Sequence, residues 1–121
     1  MFIKKVLDSF RYAFHGIFSL FRNERNAQIQ LIVFLVVCSA GFYFLITTTE
    51  WMIICLFSAL VFGLEAVNTS IEGLSDVLSP GYDKRIKRIK DIAAGAVLIA
   101  ALFAVIAGVI IFLPYILRLF K

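Results

Sequence analysis

The sequence predicts an all-α membrane protein: one amphipathic helix lying in the membrane interface, followed by three membrane-crossing helices. Composition is the first reason. Of 121 residues, 62% are hydrophobic and only 17% are charged, where a soluble domain carries about 25% charge. Length is the second, because the apolar runs approach the roughly 20 residues needed to cross a bilayer. The third is the N-terminal segment, whose apolar residues recur every three or four positions. Three such helices enclose little core, so a polar site among them would need cover from another copy of the chain. Oligomerisation is therefore expected.

Residues 1–25 form the interfacial helix and hinge of a single membrane domain spanning 1–121. Phe2, Ile3, Val6, Leu7, Phe10, Phe14, Ile17, Phe18 and Phe21 make one face, while Lys4, Lys5, Asp8, Arg11, His15 and Arg22 fill much of the rest. Such a helix lies with its apolar face toward the acyl chains. Polar residues interrupt it throughout, so it does not read as a secretory signal. The run Arg22–Asn26 is expected to act as a hinge. Span one covers about 28–46, and Thr47–Glu50 reads as a short turn. Span two covers about 51–74, with Trp51 as an interfacial anchor, and Ser79-Pro80-Gly81-Tyr82 breaks it. Residues 83–90 form a basic approach to span three, about 92–117, and Pro114 stands near its far end.

Basic residues set the orientation. The N-terminal segment carries Lys or Arg at 4, 5, 11, 22 and 25, and the 77–90 loop carries five more, while 47–50 has none. The N-terminus and second loop should face the cytoplasm of a bacterial cell, with the spans in its inner membrane. A net charge of +4, explained by this topology, gives no reason to expect nucleic acid as a partner. Cys38 and Cys55 show no metal-thiolate or disulfide spacing and read as small packing residues. His15 reads as an interface residue, and the small residues 93–96 as allowing close helix approach.

Span two holds the anomaly. Measured from Glu65 at 100° per residue, Asn68, Glu72 and Asp76 fall at about −60°, −20° and +20°, within an arc of roughly 80°. A carboxylate near mid-membrane costs on the order of 2.5–3.5 kcal/mol, so this polar face calls for a function. Glu24, Glu72, Asp76, Lys90 and Asp91 gather at the cytoplasmic ends of the spans, with Glu65 about 10 Å deeper than Glu72. Such layering suits joining a polyanionic, water-soluble substrate to a lipid alcohol. Carboxylates can hold Mg²⁺ against phosphates, lysine can hold phosphate oxygens, and a deeper acid can take a hydroxyl proton. No GxxxxGK[ST] is present, nor a GxGxxG with the protein-kinase set.

The pattern Glu65, Asn68, Thr69, Ile71, Glu72, Asp76, then Lys90, Asp91, Ala93, Ala94, Gly95, Ala96, Val97, Leu98, resembles the prokaryotic diacylglycerol kinase family, which includes undecaprenol kinases. Ser9, Phe10, Arg11, Tyr12, Ala13, Phe14 and Gly16 extend the resemblance, as do Asn23, Glu24, Arg25 and Asn26, so it covers nearly the whole chain. The resemblance implies a homotrimer with active sites shared between subunits, using ATP and Mg²⁺ to phosphorylate diacylglycerol or undecaprenol. It implies that Glu65 is the general base, that Glu24 and Glu72 hold the metal and contact the nucleotide, and that Lys90 and Asp91 contact ATP phosphates with Asn68 in support. Lys5, Tyr12, Asp76, Gly81, Tyr82 and Asp83 align with nucleotide-proximal positions. Gln28 and Gln30 stand where relatives often have Arg, and Glu or His, near the expected lipid headgroup.

Plainer readings stand beside these. Glu65 alone could be an acid paired between helices, Glu24 and Glu72 interfacial charges, Lys90 a topology lysine, and Asp76 a helix-end group. The competing function is a non-catalytic scaffold or transporter-like oligomer whose acids line a polar cavity.

Overall fold

The computed structural model describes residues 1–121 as four helices: α1 (Phe2–Asn23), α2 (Arg25–Phe44), α3 (Thr48–Leu78) and α4 (Lys84–Leu119). Of these, α2, α3 and α4 are long and apolar enough to cross a membrane. At 1.5 Å per residue, the 36 residues of α4 extend about 54 Å, well beyond a hydrocarbon core of about 30 Å. The basic segment 84–90 is thus the first two turns of the same continuous helix.

The hinge after α1 is a single residue. Glu24 is extended (φ −102°, ψ 117°), and its N–H still bonds to Leu20 O at 3.0 Å. Gln28, one turn into α2, reaches back so that its Nε2 donates to Phe21 O (3.1 Å) and Arg22 O (3.0 Å). It thereby satisfies carbonyls that the end of α1 would otherwise leave open. The Gln28 amide is committed to backbone in this way. Leu20 is buried, and Phe21 packs edge-on against Phe62 of α3 (5.4 Å between centroids). The rest of the apolar face of α1, from Phe2 to Phe18, is exposed.

At the opposite end of the bundle, α2 stops at Leu45, which takes a left-handed conformation (φ 54°, ψ 53°). Thr47 then caps α3. Its Oγ1 accepts from Glu50 N–H (3.2 Å), and Glu50 Oε1 accepts from Thr47 N–H (2.9 Å), a reciprocal capping box. Thr48–Glu50 are therefore helical, and the expected turn over 47–50 is displaced to Leu45–Thr47. Capping chemistry overrides the poor helix propensity of three consecutive threonines here. Trp51 folds its indole over Gly41, where a Cβ would sit 2.6 Å from Cη2. Nearby, Ile46, Ile54 and Ile111 form the small buried core, with Phe44, Phe112 and Tyr115 against it.

The loop from α3 to α4 begins after Leu78, where Ser79 N–H still bonds to Ser75 O (2.9 Å). Asp83 ends the loop as the N-cap of α4, its Oδ1 accepting from Arg85 N–H at 2.8 Å. Packing is closest between α3 and α4; α2 rests on α3 and meets α4 through Phe44 against Phe112 and Tyr115, and α1 bridges α2 and α3 near Leu20. Only 11 of 121 residues are buried within one chain, so lipid or further subunits must cover the remaining apolar surface.

Candidate active site

Two helix registers position the polar groups. Between the antiparallel α2 and α3, Phe34 meets Phe62 (5.6 Å) and Gln30 meets Glu65 (3.2 Å). Continuing that register by six residues, about 9 Å, brings Glu24 level with Ile71 and Glu72. Between α3 and α4, Tyr115 meets Glu50 (2.5 Å) and Lys90 meets Asp76 (3.1 Å). That register sets Glu65 level with Ala100 and Ala101, and Asn68 level with Val97. These α4 residues are small or apolar, so they allow α4 to approach the acid closely and leave it no polar partner from that side.

Three layers result. In the deepest, Glu65 is 3% exposed and accepts a hydrogen bond on Oε2 from Gln30 Nε2. In the middle, Asn68, 6% exposed, donates through Nδ2 to Glu72 Oε1 at 3.3 Å. At the helix ends, Lys90 bonds Asp76 and Lys87 bonds Asp91 (2.6 Å). Lys90 and Asp91, adjacent in sequence, do not pair with each other. They diverge by about 100° around the helix, whereas Lys87 lies one turn from Asp91 on the same face. Asp76 joins α3 to α4 rather than capping α3, whose last turn ends at Ser79.

The remaining candidates are not drawn into this cluster within one chain. Lys5 and Tyr12 lie on the exposed part of α1, Tyr12 beneath the Arg11 guanidinium at 5.3 Å. Gly81 and Tyr82 are exposed in the α3–α4 loop, where Gly81 O accepts from Ser79 Oγ (3.1 Å). Asp83 is held by Arg85, whose guanidinium keeps the Asp83 carboxyl below the usual aspartate range. No group of three or more acidic, His or Cys side chains encloses a metal site. Two carboxylates at one level, Glu24 and Glu72, nonetheless fit Mg²⁺, which commonly takes one or two protein carboxylates and completes its shell with phosphates and water.

Three polar atoms beside these layers are shut off from solvent and lack a partner: Gln30 Oε1, Asn68 Oδ1 and Thr69 Oγ1. Buried polar atoms are nearly always bonded, so three orphans within two helical turns call for partners that one chain alone does not supply.

This layered arrangement occurs in a chain whose residues 11–112 match the family model for prokaryotic diacylglycerol kinase. The chain belongs to that family. It is a multi-pass membrane enzyme of the lipid-kinase type, for which ATP is the phosphate donor. Over 112 residues it is 38% identical to the undecaprenol kinase of Bacillus subtilis (strain 168), an alignment covering 93% of this chain and 91% of the relative. Over 115 residues it is 37% identical to the diacylglycerol kinase of Synechocystis sp. (strain ATCC 27184 / PCC 6803 / Kazusa), covering 94% of this chain and 66% of that relative.

For this family member, sequence reasoning missed the partner of Glu65. Gln30 was visible as an unusual residue in span one, but its pairing depends on the α2–α3 register. Counting outward from the tight connection at 45–47 would set Gln30 level with Phe62, about three residues short of Glu65. Thr69 was part of the recognised motif without a role, and its unpartnered hydroxyl now singles it out.

Proposed function

We propose that this diacylglycerol kinase family member transfers the γ-phosphate of ATP to the hydroxyl of a membrane lipid alcohol, diacylglycerol or undecaprenol. The observation that carries the reading is Glu65: a carboxylate 3% exposed, hydrogen-bonded by Gln30, two turns below Glu72. An acid at that depth meets a lipid hydroxyl, and the charged groups at the helix ends meet a nucleotide. The lipid oxygen forms a bond to the γ-phosphorus while the bond from that phosphorus to the bridging oxygen breaks and ADP leaves. The hydroxyl proton passes to Glu65.

Glu24 and Glu72 would hold Mg²⁺, which supplies charge neutralisation for the phosphates. Asn68 fixes the Glu72 carboxylate. Lys90 faces the phosphates, with Asp76 holding its ammonium in place and Asp91 beside it. Gly81, Tyr82 and Asp83 border the nucleotide from the loop, and Lys5 and Tyr12 from α1. The exposed aromatic face of α1 suits the membrane interface, and the positive charge near 84–90 suits a cytoplasmic α3–α4 loop. A homotrimer supplies the cover that one chain lacks and lets α1 residues serve a neighbouring site.

The test is phosphorylation in mixed micelles with ATP, Mg²⁺ and each lipid alcohol at matched surface concentration. Glu65→Gln should lower kcat by about 10²–10⁴-fold while ATP still binds. Wild-type protein that phosphorylates no lipid alcohol would refute the kinase reading. A tenfold preference, about 1.4 kcal/mol, identifies the acceptor.

A further inference from the structure

The side-chain hydrogen bond that joins α2 to α3 is the one from Gln30 to Glu65. Its two ends differ chemically. An ionised carboxylate has only acceptors, so the Gln30 NH₂ must face it. That orientation leaves Gln30 Oε1 sealed from solvent with no donor. Gln30 is the one side chain hydrogen-bonded to Glu65, although Asn68 Oδ1 and the Thr69 hydroxyl stand one turn on along α3 without partners of their own. The level α4 residues are Ala100 and Ala101, and α1 packs Phe21 against Phe62, one turn back on α3. On α3 itself, Asn68 gives its NH₂ to Glu72. The nearest charged groups on α2 and α4 lie toward the helix ends: Arg25 and Glu24 of α2, level with residues 70–72 in that register and so nearly two turns away, and Lys90 of α4, held by Asp76.

We propose that Gln30 is a positioning residue for phosphoryl transfer, holding the Glu65 carboxyl in place both before and after it takes the substrate proton. This rests on the reading of Glu65 as the base. Before transfer, Gln30 Nε2 donates to the carboxylate. After transfer, Glu65 carries the proton from the lipid hydroxyl and needs an acceptor for it. Half a turn about the last side-chain torsion of Gln30 presents Oε1 for that bond. An amide can serve both states without itself gaining or losing a proton. Leucine serves neither, and a second carboxyl serves them only by sharing one proton with Glu65.

The experiment measures kcat and KM for ATP and for the lipid across pH, comparing wild type with Gln30→Leu, Gln30→Glu and Glu65→Gln. Gln30→Leu should lower kcat by about ten- to a hundredfold, with KM for ATP held within about twofold. The isosteric Gln30→Glu, whose carboxyl can share one proton with Glu65, should recover much of that kcat. Detergent-solubilised melting curves report folding for each variant. Wild-type kcat in Gln30→Leu would overturn the proposal, as would equal losses in Gln30→Leu and Gln30→Glu at every pH, which is the signature of packing alone. Wild-type kcat in Glu65→Gln would instead overturn the base assignment, whatever the Gln30 variants show.

Discussion

Replacing Gly41 with alanine tests how the α2–α3 hairpin is held shut. The added Cβ would meet Trp51 Cη2 at 2.6 Å, Trp51 Cζ2 at 2.8 Å and Ile46 Cδ1 at 3.1 Å. Carbon atoms prefer separations of about 3.5–4.0 Å, so the indole must retreat by roughly an ångström. It has little room, because the Phe42 ring lies 4.8 Å from it between centroids. Overpacking of this kind costs about 1–3 kcal/mol. Exchanging glycine for alanine inside a helix returns about 1 kcal/mol, which leaves a net loss of roughly 0–2 kcal/mol. Trp51 is the single tryptophan of the chain, so its fluorescence reports the displacement without ambiguity. The assay is emission wavelength together with unfolding in mixed detergent. In a Trp51→Phe background the alanine should become neutral or stabilising, which isolates the clash. Unchanged emission with a full 1 kcal/mol gain in the native background would refute the packing argument.

Leu45→Gly should stabilise the hairpin by about 1 kcal/mol, because Leu45 holds a positive φ that glycine adopts freely. The same unfolding assay checks it. Asp83→Ala removes the α4 N-cap and should lower the unfolding midpoint in the same assay. The Asp83 carboxyl is held below its ordinary range by hydrogen bonds from Arg85, side chain first. Its contribution is thus complete above the ordinary aspartate value and disappears as pH falls through the lowered one. NMR titration of Asp83 should follow that window and move part of the way back toward the ordinary range in Arg85→Ala, which keeps the backbone N–H donors at 85 and 86. Asp76→Asn should change stability by less than about 1 kcal/mol, since the pair with Lys90 is largely exposed. Its larger effect should be an increase in KM for ATP, matched in direction by Lys90→Ala; unchanged KM in both would remove the pair from the nucleotide site.

Much of this architecture is written in residue spacing. The polar face of α3 follows from helical geometry alone, and its composition drew attention to Glu65 and Glu72 before any helix was placed. Local capping was less legible. Thr47–Glu50 looks like a turn by propensity, yet the Thr-x-x-Glu pattern is also a capping box, and the box won. Side-chain partners were least legible. Lys90 and Asp91 are adjacent in sequence, yet helical geometry separates neighbours and joins Lys87 to Asp91. The bonds from Gln30 to Glu65 and from Lys90 to Asp76 depend on interhelical register. No single helix encodes that quantity. Lys5 and Tyr12 stay apart from the acids within one chain, so their part in the site turns on assembly.

The two polar contacts between α3 and α4 lie at opposite ends of the same pair of helices. Glu50 and Asp76 are 26 positions apart in the sequence, a span of about 39 Å along the axis. A slip of one residue would break both contacts at once. The vertical distance from Glu65 to Lys90 is therefore a fixed length, like that between two marks on a rod pegged at each end. Bilayers of different thickness should tilt the rod or stretch the lipid around it, at a modest cost per ångström of mismatch. They should leave unaltered the gap across which a phosphate must travel from the nucleotide to a lipid.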